Sequence, residues 1–299
     1  MVISQDIYFA AVGDVHGNMH LMVKLLNDWE TKTNKQLAFV LQVGDFEPHR
    51  YEADLTTTPG PKKYRKLGDF ADFYTGKAVF PWSIWFIAGN HEPYGFLEQM
   101  PQGGQVTNNC YYLGRVGTVT LSGLKIVGVS GIYDPERFQK QRPDVSLISQ
   151  SSNKKYVGFT EAEINQAITF SSADILLLHD WPSGIISPRE AAKFGWSNEV
   201  GNEYASLLVE SLKPKLVLCG HMHQPYRTQM SLSNGVAAIC CLANVKQGQD
   251  RMPFSTATDA IASLAFGIAI FHLSPEGQLV EVPDIAAKPK CRESRSRVS

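Results

Sequence analysis

The chain has 299 residues, 43% hydrophobic and 19% charged, with 28 Lys and Arg against 29 Asp and Glu and a formal net charge of −1. That is apolar material enough for one large core, taken as a domain over residues 1–285. The balanced charge excludes a strongly basic nucleic-acid binder, though not a local basic patch.

The first apolar run, Ile7 to Val12, reads as a buried strand, and Gly13-Asp14-Val15-His16-Gly17 follows where it ends. Asn18 is placed to cap a helix reaching about Trp29, with Leu21, Met22, Leu25, Leu26 and Trp29 at helical spacing. Phe39 to Val43 is a second strand, and it delivers Gly44-Asp45. A long polar segment, Glu47 to Arg65, then reads as loop, with a helix expected around Lys62 to Tyr74. Ile84 to Ala88 is a third strand ending in Gly89-Asn90-His91-Glu92, and Pro93 is placed to open a short helix.

Gly103-Gly104 marks a turn. Cys110 to Leu113, Val116 to Leu121 and Lys125 to Val129 read as strands that begin a second sheet, the last two joined as a hairpin by Ser122-Gly123. Tyr133 to Phe159 mixes Arg137, Lys140, Arg142, Lys154 and Lys155 with Tyr133, Phe138, Tyr156 and Phe159. That mixture suits either a polyanion carrying bases or a solvated insertion. Thr160 and Glu163 form a capping box. Ile175 to Leu178 is a strand ending in His179-Asp180, Asn202 to Leu212 is a helix, and Leu216 to Cys219 is a strand ending in Gly220-His221-Met222-His223. Short strands near Tyr226 to Gln229, Val236 to Cys241, Phe266 to His272 and Leu279 to Val282 are expected to complete the second sheet. Lys288, Lys290, Arg292, Arg295 and Arg297 place a basic, disordered tail over 286–299.

Cys110, Cys219, Cys240, Cys241 and Cys291 lack paired spacing, which suits buried thiols in a reducing compartment. The N-terminus carries no basic segment followed by an apolar one, and the longest apolar stretch, Ala260 to Leu273, is shorter than the about 20 residues of a membrane span. The expectation is a cytoplasmic protein with no membrane association and no evident obligate protein partner.

Five strands therefore end in potential ligands: Asp14, His16, Asp45, Asn90, His179, His221 and His223. Open α/β sheets bind at the carboxyl ends of their strands, so these groups are expected in one crevice. Seven ligands exceed what one ion needs. Two ions sharing the Asp45 carboxylate use them all, and mixed imidazole and carboxylate donors suit Mn, Fe or Zn better than Mg or Ca. A metal pair clamps the attacking and leaving oxygens of an in-line displacement and generates hydroxide at neutral pH, help that phosphate-ester hydrolysis needs. His91, beside a ligand, is the candidate general acid at the leaving oxygen. His20, His49 and His272 read as structural or surface residues, with His49, four positions past Asp45, the one closest to the site.

In this order, Asp14-x-His16, Gly44-Asp45, Gly89-Asn90-His91-Glu92, His179 and Gly220-His221-x-His223 resemble the calcineurin-like metallophosphoesterases. The resemblance implies an α/β (α+β) fold, a four-layer sandwich of two mixed β-sheets flanked by helices. It implies one divalent ion on Asp14, His16, Asp45 and His223 and a second on Asp45, Asn90, His179 and His221, with manganese first and iron or zinc as alternatives. Further segments are similar to the RNA lariat debranching enzymes: Gly44-Asp45-Phe46 with Arg50 and Glu52-Ala53-Asp54-Leu55, Pro61-Lys62-Lys63-Tyr64-Arg65, Tyr111-Tyr112-Leu113-Gly114, Ser130-Gly131-Ile132-Tyr133, and His179-Asp180-Trp181-Pro182. That similarity implies cleavage of a 2′-5′ phosphodiester in branched RNA, with Arg50 and Tyr133 as substrate contacts. Asp14 stands where that family typically carries a cysteine. The alternatives are a general phosphoesterase acting on small phosphodiesters, cyclic nucleotides or phosphoproteins, and a non-catalytic scaffold that keeps the fold.

Overall fold

The structure, a computed structural model, describes residues 5–61, 65–196, 200–245 and 267–283. The expected tail at 286–299 and Cys291 lie outside the described residues. In chain order the first elements are β1 (Ile7–Val12), α1 (Met19–Thr33), β2 (Leu37–Gln42), α2 (Phe70–Tyr74), β3 (Ser83–Phe86), α3 (Tyr94–Leu97), β4 (Gly104–Thr107), β5 (Cys110–Tyr112), β6 (Val116–Leu121) and β7 (Leu124–Val129). There follow α4 (Glu161–Ile168), β8 (Ile175–Leu178), α5 (Pro188–Lys193), α6 (Glu203–Leu212), β9 (Leu216–Cys219), β10 (Tyr226–Leu232), β11 (Gly235–Cys241), β12 (Ile268–Leu273) and β13 (Leu279–Glu281).

The strands form two mixed sheets, a seven-stranded one ordered β13-β12-β1-β2-β3-β5-β4 and a six-stranded one ordered β10-β11-β9-β8-β7-β6. In the first, β1, β2, β3 and β5 run parallel while β12, β13 and β4 are antiparallel to their neighbours. In the second, β7, β8, β9 and β11 run parallel between antiparallel edges. The side-chain period of two sorts each strand between two cores. Phe9, Ala11, Phe39 and Leu41 meet Ile126, Ile175, Leu177 and Leu218 between the sheets. Ala10, Val12, Val40 and Phe86 face outward onto Met22, Leu26 and Trp29 of α1. On the far side Val127, Leu176 and Val217 pack against Ile164 of α4 and Leu208, Val209 and Leu212 of α6. Three cores in series make four layers, helix, sheet, sheet, helix, as the sequence resemblance implies.

Several expectations about element membership change. β5, β12 and β13 join the first sheet, not the second. β12 lies antiparallel to β1 with six paired positions, Ile7 opposite Leu273 through Val12 opposite Ile268. The expected helix over 62–74 is reduced to α2, and residues 62–64 lie outside those described. The Gly103-Gly104 turn runs directly into β4. α1 is capped from a distance: Asp69 accepts the N–H groups of Met19 at 2.6 Å and His20 at 3.0 Å, while the Asn18 amide donates back to the carbonyls of Val15 and His16. The segment from Tyr133 to Phe159 exposes Lys140, Lys154 and Lys155 to solvent and turns its aromatics inward. Phe138, Tyr156 and Phe159 are buried, and Arg142 pairs with Glu163 of α4 at 2.6 Å.

Candidate metal centre

The parallel strands of both sheets end toward the same crevice, and the loops after β1, β2, β3, β8 and β9 carry the expected ligands into it. One ligand atom from each of Asp14, His16, Asp45 and His223 lies within 4.8 Å of every other. His16 Nε2 is 3.1 Å from His223 Nε2 and 4.0 Å from Asp45 Oδ2. Asp14 Oδ2 is buried without a hydrogen-bond partner, although His223 Nε2 lies only 2.9 Å away. Two carboxylates and two imidazoles crowded together, with the buried Asp14 Oδ2 left without a hydrogen-bond partner, are arranged as ligands to a common cation.

Asp45 turns its other oxygen to a second group. Oδ1 lies 3.4 Å from His179 Nε2, and Asn90 Oδ1 lies 3.0 Å from His179 Nε2 and 2.8 Å from His221 Nδ1. The His179 ring donates from Nδ1 to the Val43 carbonyl at 2.8 Å, which turns Nε2 toward two oxygens. All seven sequence-derived ligands thus meet in one place, in two adjoining quartets that have Asp45 in common. Mixed imidazole, carboxylate and amide-oxygen donors fit a divalent transition metal in each.

The protonation equilibria show the same demand for positive charge. Burial alone would lower the His16 imidazole, but its hydrogen bond to Glu47 and the charge of Asp45 raise it to about 9. His179, also opposed by burial, is raised by Asp45 to about 10. Asp45 itself is held well below the usual carboxylate range: burial would raise it, and the charges of His179 and His16 reverse that. Burial, then the neighbouring His179, lower His221.

The backbone is shaped to deliver these atoms. His16, Asp45, Glu47, His221 and His223 all adopt left-handed conformations, with φ between 46° and 68°. Such strain costs about 1–3 kcal/mol per residue and clusters at functional sites. Close approach demands glycine at two points: a Cβ on Gly89 would stand 2.3 Å from Asp45 Oδ1, and one on Gly220 the same distance from Asp14 Oδ1. Backbone donors fix the carboxylates, His91 N–H to Asp45 Oδ1 at 2.7 Å and His221 N–H to Asp14 Oδ1 at 3.1 Å.

The His91 ring centroid is 5.7 Å from that of His16, and the loop at Gly60 lies against the ring. Arg50 is bound to Asp54 by a bidentate pair and stacks over Phe96 at 3.8 Å. Tyr133 donates its backbone N–H to Asp180 and packs its ring against Phe138 and Tyr204. His49 is buried on Thr58 at 2.8 Å, His20 pairs with Asp72 at the surface, and His272 meets Asp6.

Two site carboxylates escaped sequence reasoning. Glu92 is fully buried and accepts the N–H groups of Phe46, Glu47 and Gly89, at 2.9, 2.9 and 3.1 Å. It ties the loop of Asp45 to the loop of Asn90, and burial with the charge of Asp45 pushes it up to about 8 against those donors. Glu47 Oε1 lies 2.7 Å from His16 Nδ1. Glu92 was visible only as the last residue of a motif, and Glu47 only as one acid in a polar run.

A family model described as calcineurin-like phosphoesterase matches residues 7–225. The lariat debranching enzyme of Entamoeba histolytica is 35% identical over 251 residues, 79% of this chain and 70% of that enzyme. The lariat debranching enzyme of Homo sapiens is 31% identical over 74% of this chain and 43% of its own length, and that of Arabidopsis thaliana 29% over 75% and 56%. The chain therefore spans 70% of the Entamoeba relative and about half of the other two. One solved crystal structure, 10% identical, aligns with a TM-score of 0.54 over 93% of this chain and 99% of its own, a likeness of fold alone. Taken with the two quartets of donors at the strand ends, the match over 7–225 places this chain in the calcineurin-like phosphoesterase family, among relatives that are lariat debranching enzymes.

Proposed function

We propose that the chain is a metal-dependent phosphodiesterase whose substrate is a branched nucleic acid with a 2′-5′ linkage. The observation that carries the reading is the pair of donor quartets meeting at Asp45, within a fold whose 35% identical relative is a lariat debranching enzyme. Asp14, His16, Asp45 and His223 would hold one divalent ion, and Asp45, Asn90, His179 and His221 the other, with manganese preferred over iron or zinc. When bound, such a pair supplies Lewis acidity toward the phosphate oxygens and makes water a nucleophile at neutral pH. Asp45 carries the charge common to both positions. His91, anchored through its backbone to Asp45 with its ring beside His16, donates the proton that the leaving alkoxide requires. Arg50 and Tyr133, each held by other contacts, are proposed to bind substrate at the rim. The last described strand ends at Glu281, which fits a catalytic domain closing near residue 285. No described helix is long and apolar enough to cross a membrane, and the four described cysteines are free and buried.

A second reading, a phosphoesterase of broader range, is favoured by Asp14, a carboxylate where the debranching family typically has a cysteine. A substrate panel separates the two. A 2′-5′ branched oligonucleotide, a chromogenic diester and a monoester are each offered with Mn, Fe and Zn. The debranching reading expects the branched substrate to be cleaved fastest, and preference for the small diester would replace it with the broader one. Loss of nearly all turnover in Asp45→Asn and in His91→Ala is expected; retention of most activity in either removes the role assigned to it.

A further inference from the structure

We infer that Glu47 is the positioning residue of the metal position formed by Asp14, His16, Asp45 and His223, acting through the His16 ring. The inference rests on the two-quartet reading above. The site has four imidazoles, and they are anchored differently. His179 is fully buried and its Nδ1 is committed to the Val43 carbonyl. The nearest carboxylate to the His221 ring is Asp180, at 3.8 Å from Nε2, beyond hydrogen-bond range. His16, like His221 and His223, is partly exposed, at 26%, on a left-handed backbone at φ 46°, so packing alone does not hold its ring. Glu47 supplies a tether at 2.7 Å from Nδ1. Among the described residues, His16 alone of the four has a carboxylate within hydrogen-bond distance of the ring nitrogen that faces away from the ligand cluster.

Glu47 is itself built to hold position. Its N–H donates to Glu92 at 2.9 Å, its carbonyl accepts from His49 at 2.8 Å, its backbone sits at φ 58°, and its side chain is only 10% exposed. Three consequences follow for His16. The Nδ1 proton is fixed by its acceptor, so the nitrogen that gives up its proton to a cation is Nε2, 3.1 Å from His223. A flip of the ring, which would turn a C–H toward the site, forfeits the hydrogen bond. A carboxylate behind an imidazole also makes its free nitrogen a stronger donor, and removing such a partner costs about 10–100-fold in metal affinity. The position also has a third carboxyl group beside Asp14 and Asp45, where the other quartet has Asp45 and the neutral Asn90.

The test is titration of the metal-free protein with Zn(II), followed by calorimetry and by the ring nitrogen signals of ¹⁵N-labelled histidine. Wild type is expected to show two binding events, with the His16 ring of the zinc-loaded protein in the Nδ1–H form. Glu47→Ala should weaken one event by about 10–100-fold, leave the other in place, and mix the tautomers of His16. Glu47→Gln retains an oxygen that accepts from Nδ1 and should restore the tautomer and most of the affinity. Wild-type protein that binds no Zn(II) would overturn the metal reading itself. Wild type with two events but Glu47→Ala with both events and the His16 tautomer unchanged would overturn the role of Glu47 alone, as would a Gln variant no better than Ala.

Discussion

Glu92 joins the two loops that bring Asp45 and Asn90 together, so replacing it probes how far the site depends on the fold beneath it. Its carboxylate accepts three backbone N–H groups, from Phe46, Glu47 and Gly89, and is completely buried. A buried N–H left without its acceptor costs about 1–3 kcal/mol. Glu92→Leu would strand all three donors, a loss of about 5 kcal/mol against a total stability of about 5–15 kcal/mol, and would leave little folded protein to assay. Glu92→Gln is the informative change. The amide oxygen keeps the donors on one side, and the amide N–H₂ meets at least one N–H head-on, a cost of about 2–3 kcal/mol. In urea, with a slope of about 2–3 kcal/mol per molar, the midpoint should fall by about 1 M with the slope unchanged. Turnover should fall with it, because the same donors set the separation of Asp45 from Asn90. A Gln variant with the wild-type midpoint and the wild-type turnover would refute the reasoning.

Three further outcomes are expected. His49 is buried with its imidazole lowered by burial from 6.5 to about 4, so unfolding takes up a proton between those values. The stability of its neutral ring is complete above pH 6.5 and lost as the pH falls toward 4, about 3 kcal/mol, and the gap between wild type and His49→Gln in urea melts at pH 7 and pH 4 should shrink by that amount. His16 and His179 hold protons in the metal-free site, at about 9 and about 10, so metal affinity should rise with pH through neutrality and calorimetry in two buffers at pH 7 should find about two protons released as both ions bind; no release would contradict it. Asp69→Ala removes both acceptors from the first turn of α1 and should cost about 1 kcal/mol, read as a fall of about 2–4 °C in Tm.

Much of the site was legible because its signal is local. Each ligand sits within four residues of the end of an apolar run, and in a parallel sheet the ends of such runs share one edge. The capping boxes at Thr160 and Ser187 were equally local, although the second, Ser187-Pro188 with Glu190, went unread as the start of α5. What failed is what depends on distant partners. Nothing in Ile268–Leu273 says that it will pair with β1 and not with β11, since an apolar strand suits either edge. The cap of α1 comes from Asp69, fifty residues away from Met19, so the adjacent Asn18 was the natural but mistaken choice. Glu47 and Glu92 hold the ligands from behind, and the chemistry of a carboxylate in a polar loop is the same whether or not a histidine faces it. The mixed basic and aromatic run from Tyr133 is ambiguous for a related reason: composition does not tell whether Phe138 and Phe159 turn outward to a base or inward, and here they turn inward, Phe138 onto Tyr204 and Phe159 onto Tyr133 and Phe138.

The most direct test counts metal. Elemental analysis of the purified protein loaded with Mn(II) and freed of excess should find two ions per chain in wild type and fewer than one in Asp45→Asn, because Asp45 is the one donor that both quartets share. Wild type with no stoichiometric metal, or Asp45→Asn retaining both ions, would contradict the dinuclear reading of the site.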